Sequence, residues 1–154
     1  ALLRDEVRSG SDLGKELNAM MKEGKLVPVE VTVGLLRKAM EKAENKNFLI
    51  DGFPRAVDQA EVFERDIQPC DLVLFFDCPL ETMQERLMER GKTSGRADDN
   101  LETIKKRFDT FQNMSLPVLD HYEAQKKATK LSAVPPPDEV YAGVKFAMAS
   151  LGVH

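Results

Sequence analysis

Several arginines of this chain lie near the predicted ends of helices and strands, where they could bind an anion that carries more than one charge. They are Arg4, Arg55, Arg86, Arg90, Arg96 and Arg107. The guanidinium group presents a planar fork of N–H donors that suits phosphate oxygens better than the compact ammonium of lysine. One arginine alone is usually a solvated surface charge. Several of them in a chain of net charge −4 indicate instead a site for a polyanion, such as a chain of phosphates.

The segment FLIDGFPRAVDQ, residues 48–59, combines an apolar run with residues that could bind a ligand. Asp51 ends the apolar run, at a position where a carboxylate can help to place a cation such as Mg²⁺. Gly52 lets a ligand approach the backbone closely, and Arg55 could bind a phosphate. The spacing also permits a simpler interpretation, in which Asp51 and Arg55 only pair with each other.

Hydrophobic patterning predicts strands that alternate with helices. The predicted strands cover 47–51, 71–78 and 128–134, and the predicted helices cover 9–25, 29–45, 54–66, 79–91 and 135–151. Pro54 is predicted in the first turn of its helix, and Gly91 at the end of another. A capping box of Asp99 and Glu102 should begin one more long helix, which Pro117 should kink or split.

This alternation predicts an α/β fold with a parallel sheet, because parallel strands need crossover connections. The continuous apolar run at 71–78 fits a strand that is covered on both faces. Each predicted strand ends near a polar residue, namely Asp51, Asp77 or Ser132. Ligands of open α/β sheets bind at the carboxyl ends of the strands, so these residues lie where a site is expected.

Composition and charge narrow the class of protein. A length of 154 residues suits one domain, and a net charge of −4 argues against a protein that binds nucleic acid by general electrostatics. No apolar run is long enough to span a membrane. Cys70 and Cys78 flank a predicted strand, which would hold them too far apart for a disulfide. Two unpaired thiols favour a reducing compartment, and hence a cytoplasmic location.

Motifs in several parts of the chain together resemble the nucleoside monophosphate kinase family. They are LIDGFPR followed by Gln59, ERGKTSGRADDN at 89–100, and LLRDEV at 2–7 with EGKLVPVE at 23–30. The likeness is greatest to short-lid cytosolic adenylate kinases of the isoenzyme 1 type, and next greatest to UMP-CMP kinases. It implies a P-loop NTPase-like fold, with a parallel sheet flanked by helices in one domain at 1–154. Residues 1–27 would end the region that binds the monophosphate, and 89–99 would form a short lid.

The resemblance also implies which residues bind the acceptor nucleotide. Arg4 and Arg55 would bind its phosphate, and Gln59 would read the edge of an adenine by hydrogen bonds. Arg96 and Arg107 would close over the phosphoryl group in transfer. The full acceptor set is Arg4, Lys25, Leu26, Val27, Gly52, Phe53, Pro54, Arg55, Gln59, Arg96 and Arg107.

The remaining roles concern the donor and the reaction. The resemblance implies that Arg86 and Arg90 face the triphosphate of ATP, and that backbone near Pro135 borders its adenine. The catalytic set would be Arg86, Arg90, Arg96, Arg107 and Asp51, with Mg²⁺ entering bound to ATP and Asp51 reaching it through water. The segment 89–99 holds no cysteine or histidine, so a zinc-bearing lid is excluded.

These roles imply a reaction in which MgATP and AMP exchange with two ADP in the cytoplasm, catalysed by a monomer that needs neither nucleic acid nor a membrane. The alternative is a UMP-CMP kinase. The stretch KLVPVEVT resembles the UMP-CMP type more closely. Gln59 favours adenylate kinase instead, because the pyrimidine enzymes usually have asparagine at this position. The residue that reads the base carries more weight, so AMP is the predicted acceptor.

One motif of the family has no counterpart in this chain. No GxxxxGK[ST] phosphate loop occurs in the 154 residues, and by comparison a leading βα unit and the following strand are missing. In the family the strand that precedes the phosphate loop lies between the strands predicted at 47–51 and 71–78. We therefore expect the chain alone to be poorly folded or unstable. A further hypothesis follows, in which the chain is an inactive module that still binds a nucleotide.

Overall fold

The computed structural model describes residues 2–96 and 98–152, and in this part of the chain helices surround a small parallel sheet. The fold is α/β, as predicted. The helices are α1 (Leu2–Ser9), α2 (Asp12–Lys22), α3 (Val29–Lys42), α4 (Val57–Asp66), α5 (Leu80–Ser94), α6 (Leu101–Thr110), α7 (Leu116–Ala124) and α8 (Pro137–Ala149). The strands are β1 (Val73–Asp77) and β2 (Ala128–Ser132), and a π-helical segment (Phe111–Ser115) joins α6 to α7.

The sheet contains two of the three predicted strands. β1 and β2 pair in parallel, from Val73 opposite Ala128 to Asp77 opposite Ser132. The strand predicted at 47–51 is wrong: these residues are not in a strand, and Leu49 is 87% exposed. The sheet of the described residues consists of β1 and β2 alone. The 47–51 backbone therefore pairs with no strand there, and an extended segment needs such a partner to form the hydrogen bonds of a sheet.

The helices near the N-terminus begin and end with clear local signals. α1 was not predicted, and α2 lies inside the helix predicted at 9–25. The Ser11 hydroxyl caps α2 by accepting a hydrogen bond from the Gly14 N–H at 2.9 Å. Past the end of α2, Gly24 has φ +69°, and a Cβ there would meet the Lys106 side chain of α6 at 3.0 Å. This glycine therefore lets α2 end against α6.

α4 begins later than predicted. Its first residue is Val57, so Pro54 lies before the helix, where the Phe53–Pro54 peptide bond is cis. The backbone of Arg55 makes its hydrogen bonds elsewhere: its N–H donates to the Gln59 side chain at 2.8 Å, and its carbonyl accepts from the Ser115 hydroxyl at 2.8 Å. These bonds satisfy the backbone of Arg55 without a helical turn.

The chain around 91–103 also differs from the prediction. α5 continues past Gly91 to Ser94, and Gly91 allows a close approach, because a Cβ there would lie 2.5 Å from the Asp99 carbonyl oxygen. Asn100, not Asp99, caps α6, since its side chain accepts from the Thr103 N–H at 3.0 Å. The predicted capping box is therefore wrong by one residue, because the Asp99 carboxylate binds arginine instead.

Two buried clusters meet at α4 and form the core. Val33 and Met40 of α3 pack with Phe63, and Phe53 joins this cluster edge-to-face with Phe63, at 5.5 Å between ring centres. Ala60 packs with Val118 and Tyr122 of α7 in the second cluster. The helical backbone continues from α6 through the π-helical segment into α7, so Pro117 does not split the long helix, and the regular α-helical repeat is interrupted just before the proline instead.

Candidate functional site

A buried carboxylate pair binds several of the arginines predicted to hold phosphates. Asp99 has a fully buried side chain and accepts hydrogen bonds from Arg90, Nε at 2.7 Å and Nη2 at 2.6 Å. The Ser94 hydroxyl donates to the same carboxylate at 3.0 Å, and Arg107 Nη1 lies 3.3 Å from it. The fork-to-fork geometry makes the bond to Arg90 a strong, directional one.

This pairing shifts the pKa of both partners. The hydrogen bonds from Arg90 hold the pKa of Asp99 below its ordinary value, although burial of the carboxylate acts in the opposite direction. The hydrogen bond to Asp99 in turn raises the pKa of Arg90. Both groups are therefore charged near neutral pH, and the ion pair is fully formed.

Asp98 connects helices from different parts of the chain. Its side chain is 8% exposed and accepts from Arg4 of α1, with the shortest distance 3.1 Å to Nη2. Arg107 Nη1 of α6 lies 3.3 Å from the same carboxylate. We call Arg4, Arg90, Asp98, Asp99 and Arg107 the arginine–aspartate cluster. It joins α1, α5, α6 and the loop between the last two.

Arg55 lies near this cluster but has a different partner. Its Nε donates to the Gly52 carbonyl at 2.6 Å, and within the described residues it makes no ion pair with Asp51. The interpretation in which Asp51 only pairs with Arg55 is therefore wrong. The residue is exposed, yet nearby protein atoms lower the pKa of Arg55 by desolvation, and repulsion from Arg107 lowers it further. Guanidiniums from two parts of the chain thus converge on one region.

Gln59 is buried in α4, with only 5% of the residue exposed. Its side-chain oxygen accepts from the Arg55 N–H at 2.8 Å, and its nitrogen lies 3.5 Å from the Val27 carbonyl. The second contact is at the limit of hydrogen-bond length. Gln59 therefore stands between two backbone segments that were both predicted to border the acceptor nucleotide.

A cleft of about 240 Å³ opens between α1, α2 and the loop that follows α5. Its polar wall includes Arg4, Arg96 and Asp98, and its apolar wall includes Val7 and Met21. The predicted acceptor residues are thus divided: Arg4 and Arg96 line this cleft, Arg107 lies on α6 in the cluster, and the rest lie before α3 or at and just before α4. Among the latter, Val27 is buried, Leu26 half-buried, and exposed Lys25 pairs with Glu23 at 2.6 Å.

The two arginines predicted to bind ATP have different partners. Arg86 and Arg90 lie one turn apart on α5, but Arg90 binds Asp99 while Arg86 donates to the carbonyls of Ala133 at 2.6 Å and Val134 at 2.9 Å. Those carbonyls immediately precede Pro135. Arg86 therefore fixes the backbone that was predicted to border the donor adenine, and it does not join the cluster.

Comparison with known proteins identifies the family. The family model described as adenylate kinase matches residues 1–127. This chain belongs to the adenylate kinase family. The chain is 50% identical to "Uridylate kinase" of Saccharomyces cerevisiae over 96% of its own length and 74% of that protein. It is 48% identical to "Adenylate kinase 1" of Schistosoma mansoni, over 99% and 78%, and 51% identical to "UMP-CMP kinase 3" of Oryza sativa, over 96% and 70%.

These matches confirm that the chain is a nucleoside monophosphate kinase, as its motifs indicated. They do not separate an AMP kinase from a UMP or CMP kinase, since relatives with each of these names are about equally similar. In this member of the adenylate kinase family, no helix of the described residues is long and apolar enough to cross a membrane.

Sequence reasoning missed the organising role of the aspartates in this adenylate kinase family member. Asp98 was noted only as part of the motif at 89–100, and Asp99 also as a helix cap. The usable signal was an acidic pair in a loop with arginines on both flanking helices. Thr103 was missed as well: its hydroxyl donates to the Lys22 carbonyl at 3.0 Å and ties α6 to α2.

Direct metal ligation finds little support in the described residues. Residues 2–96 and 98–152 contain no group of three or more His, Cys, Asp or Glu that could hold a metal ion. Asp51 is exposed and stands alone at the end of the 47–51 segment. Such a carboxylate suits contact through water with Mg²⁺ that is already bound to phosphates, which is the usual mode of this ion.

Proposed function

We propose that this protein transfers the terminal phosphoryl group of MgATP to AMP, giving two ADP. The observation that carries the proposal is the position of Gln59. A buried amide stands between Val27 and Arg55, beside an arginine suited to a monophosphate. Its long contact with the Val27 carbonyl is weak, so the adenine edge could take up this donor at little cost.

The arginine–aspartate cluster supports the chemistry. Phosphoryl transfer needs positioning and positive charge around the equatorial oxygens, and it needs no covalent nucleophile. Arg4, Arg90 and Arg107 face only two carboxylates, and Arg55 and Arg96 have no carboxylate partner among the described residues. The region therefore keeps an excess of positive charge for a phosphate chain.

The residues of this chain would divide the work as follows. Arg4 and Arg55 hold the acceptor phosphate, and Gln59 orients the base. Arg90 and Arg107 stabilise the charge on the transferring group. Mg²⁺ bound to the donor would neutralise further charge on its phosphates, with Asp51 available to its water shell.

The segment 89–99 would act as the lid. Arg90, Arg96 and Asp99 lie within it, so its closure would bring positive charge to the phosphates and exclude water at the same time. Water in an open site would accept the phosphoryl group in place of the nucleotide. Exclusion of water is therefore part of the specificity for phosphoryl transfer.

A second candidate function is phosphorylation of UMP and CMP. The relatives named uridylate kinase and UMP-CMP kinase support it, because they are as similar to this chain as the adenylate kinases are. Phosphate-binding arginines would serve either acceptor, so only the residues that face the base can separate the two candidates.

A coupled assay with MgATP and AMP, CMP or UMP tests the proposal on the purified protein. We expect kcat/KM for AMP to exceed that for either pyrimidine acceptor by at least about tenfold, the discrimination that a correctly placed polar contact gives. A preference for CMP or UMP would overturn the choice of acceptor. Binding of AMP in a calorimeter without any turnover would support the inactive nucleotide-binding module instead.

A further inference from the structure

Asp98 is the one carboxylate in the described residues that binds both Arg4 and Arg107. Arg4 belongs to α1, near the start of the chain, and Arg107 belongs to α6. Arg4 donates from both terminal nitrogens to Asp98 Oδ1 at 3.3 Å, and Nη2 also reaches Oδ2 at 3.1 Å. Arg107 Nη1 lies 3.3 Å from Oδ2 and donates to the Asp98 carbonyl at 3.4 Å. The residue therefore holds two phosphate-binding candidates in one place.

Both guanidiniums keep N–H donors that do not take part in the contact with Asp98. Within residues 2–96 and 98–152, Nε of Arg4 and both Nε and Nη2 of Arg107 have no hydrogen-bond partner. A guanidinium offers five N–H donors, so each side chain can bind Asp98 on one edge and a phosphate on another. Asp98 thus fixes the direction of the remaining donors.

Asp98 also lies at the boundary between two parts of the proposed site. It lines the cleft with Arg4 and Arg96, and it belongs to the segment 89–99. The Arg4–Asp98 pair is a direct contact between α1 and this segment, and its carboxylate is nearly buried. Movement of the segment would therefore move the carboxylate that orients Arg4.

We propose that Asp98 is a positioning residue, which orients Arg4 and Arg107 towards the acceptor phosphate and ties α1 to the lid segment. The inference rests on the proposed monophosphate kinase function and adds a residue that acts through two arginines. It holds for any nucleoside monophosphate, because the phosphate is common to all of them. Arginines held in place lose less side-chain entropy when the phosphate binds.

The opposite role is physically possible and gives the opposite result. If Asp98 occupied the position of the acceptor phosphate, the phosphate would have to displace it from Arg4, and removing its charge would tighten binding. If Asp98 positions the arginines, removing its charge frees them to rotate and weakens binding. The direction of the change in affinity therefore decides between the two roles.

The test compares the purified protein with D98N by titration calorimetry against AMP and against adenosine. We expect the Kd for AMP to rise about fivefold to tenfold in D98N, the effect of weakening one charge-assisted hydrogen bond. The Kd for adenosine, which lacks the phosphate, should stay within about twofold, a factor that corresponds to almost no change in free energy. In the transfer assay the same variant should raise KM for AMP through Arg4 and should also lower kcat, because Arg107 is assigned to the transferring phosphoryl group.

D5N is the matched control. Asp5 lies on α1 beside Arg4 in sequence and pairs with Arg8 at 3.1 Å, but this pair is exposed. D5N should leave both affinities unchanged, since exposed pairs contribute little. An unchanged or lower Kd for AMP in D98N overturns the inference.

A melting curve shows whether D98N is folded. If it is not, D98E decides, because it keeps the charge and displaces the carboxylate: a rise in the Kd for AMP of about twofold or more over that of the unmodified protein supports the inference, and no rise refutes it. A different result would overturn the proposed function: a preference of the unmodified protein for CMP or UMP in the transfer assay. The D98N titration is then read with that acceptor, and the same weakening is expected.

Discussion

The arginines of the arginine–aspartate cluster and residues 51–55 of the segment at 47–55 were both predicted to contribute to the site, yet the two regions are held in place very differently. In the cluster, side chains from α1, α5 and α6 bind two buried carboxylates at distances of 2.6 to 3.3 Å. In the segment, Leu49 is exposed, and within the described residues the side chain of Arg55 donates a hydrogen bond only to a backbone carbonyl. One region is fixed by interlocking charges, and the other by apolar side chains, since Phe48, Ile50 and Phe53 pack against the core cluster around Phe63.

This difference shows what each kind of structure requires. The backbone groups of a helix bond to one another within the helix. α5 and α6 can therefore hold Arg90 and Arg107 against the carboxylates without hydrogen bonds to another backbone segment. A strand must find a neighbouring strand, and the 47–51 backbone has none among the described residues. The cluster is therefore self-contained, whereas the segment depends on its neighbours.

The largest effect is expected at the centre of the cluster. Asp99→Asn removes the charge that Arg90 and Arg107 share, and we expect the free energy of unfolding to fall by about 2–3 kcal/mol, because a bidentate, charge-assisted pair is lost while the arginines stay partly solvated. Urea unfolding at neutral pH measures the change. Glu102→Gln is the control: Glu102 pairs with Lys106 at 3.0 Å in an exposed position and should cost less than about 0.5 kcal/mol.

The stability difference between the natural protein and Asp99→Asn should depend on pH. Because Arg90 lowers the pKa of Asp99 in the folded state, the ionised carboxylate stabilises the fold above its unfolded pKa, near 4. This contribution is lost as pH falls through the lower folded pKa. The stability difference between the natural protein and Asp99→Asn should therefore shrink below about pH 4, and a constant difference would contradict the pairing.

A pair of helical glycines tests the packing around the cluster. Gly91→Ala places a Cβ 2.5 Å from the Asp99 carbonyl oxygen and should cost about 2 kcal/mol, because backbone must move. Gly34→Ala in α3 meets nothing within 4 Å and should instead stabilise by about 0.5–1 kcal/mol through helix propensity. Thermal melting of both variants compares them, and a neutral Gly91→Ala would show that the loop can yield.

Gln59→Asn tests the acceptor side and should change specificity more than stability. The shorter amide cannot reach the Val27 segment, so we expect the ratio of kcat/KM for AMP over CMP to fall about tenfold, or about 1.4 kcal/mol. The transfer assay with both acceptors measures this ratio, and a melting curve shows whether the fold is intact. An unchanged ratio would remove Gln59 from base recognition.

The smallest effect is expected in the 47–51 segment. Leu49→Ser changes a side chain that is 87% exposed and should alter the free energy of unfolding by less than about 0.5 kcal/mol. A buried strand residue would cost several times more. A loss above about 2 kcal/mol in urea unfolding would show that Leu49 itself is buried in solution, as in the predicted strand.

The sequence predicted most of the helices and both strands that form, because each carries its own periodicity and its own stop signals. Periodicity could not show that 47–51 is not a strand, since Leu49 and Ile50 are as apolar as the residues of β1. Whether such a segment forms a strand depends on an adjacent strand, which its own residues do not reveal. The arginines were found by residue type and by family resemblance. Their partners were not, because nothing local shows that Asp99 would bind Arg90 rather than cap α6.

The π-helical segment at Phe111–Ser115 sets the phase of the long helical run that contains it. α6 directs Ile104 and Thr103 inwards and Arg107 to the cluster, while α7 buries Val118 and Tyr122 against Ala60. A π turn adds one residue to the repeat, which rotates all later side chains by about 100° relative to a regular helix. Because the extra residue is taken up within the π turn, loss of one residue here would restore a regular α-helix and leave the core face of α7 against Ala60, whereas gain of one would turn that face away; over evolution this stretch should therefore tolerate a deletion far better than an insertion.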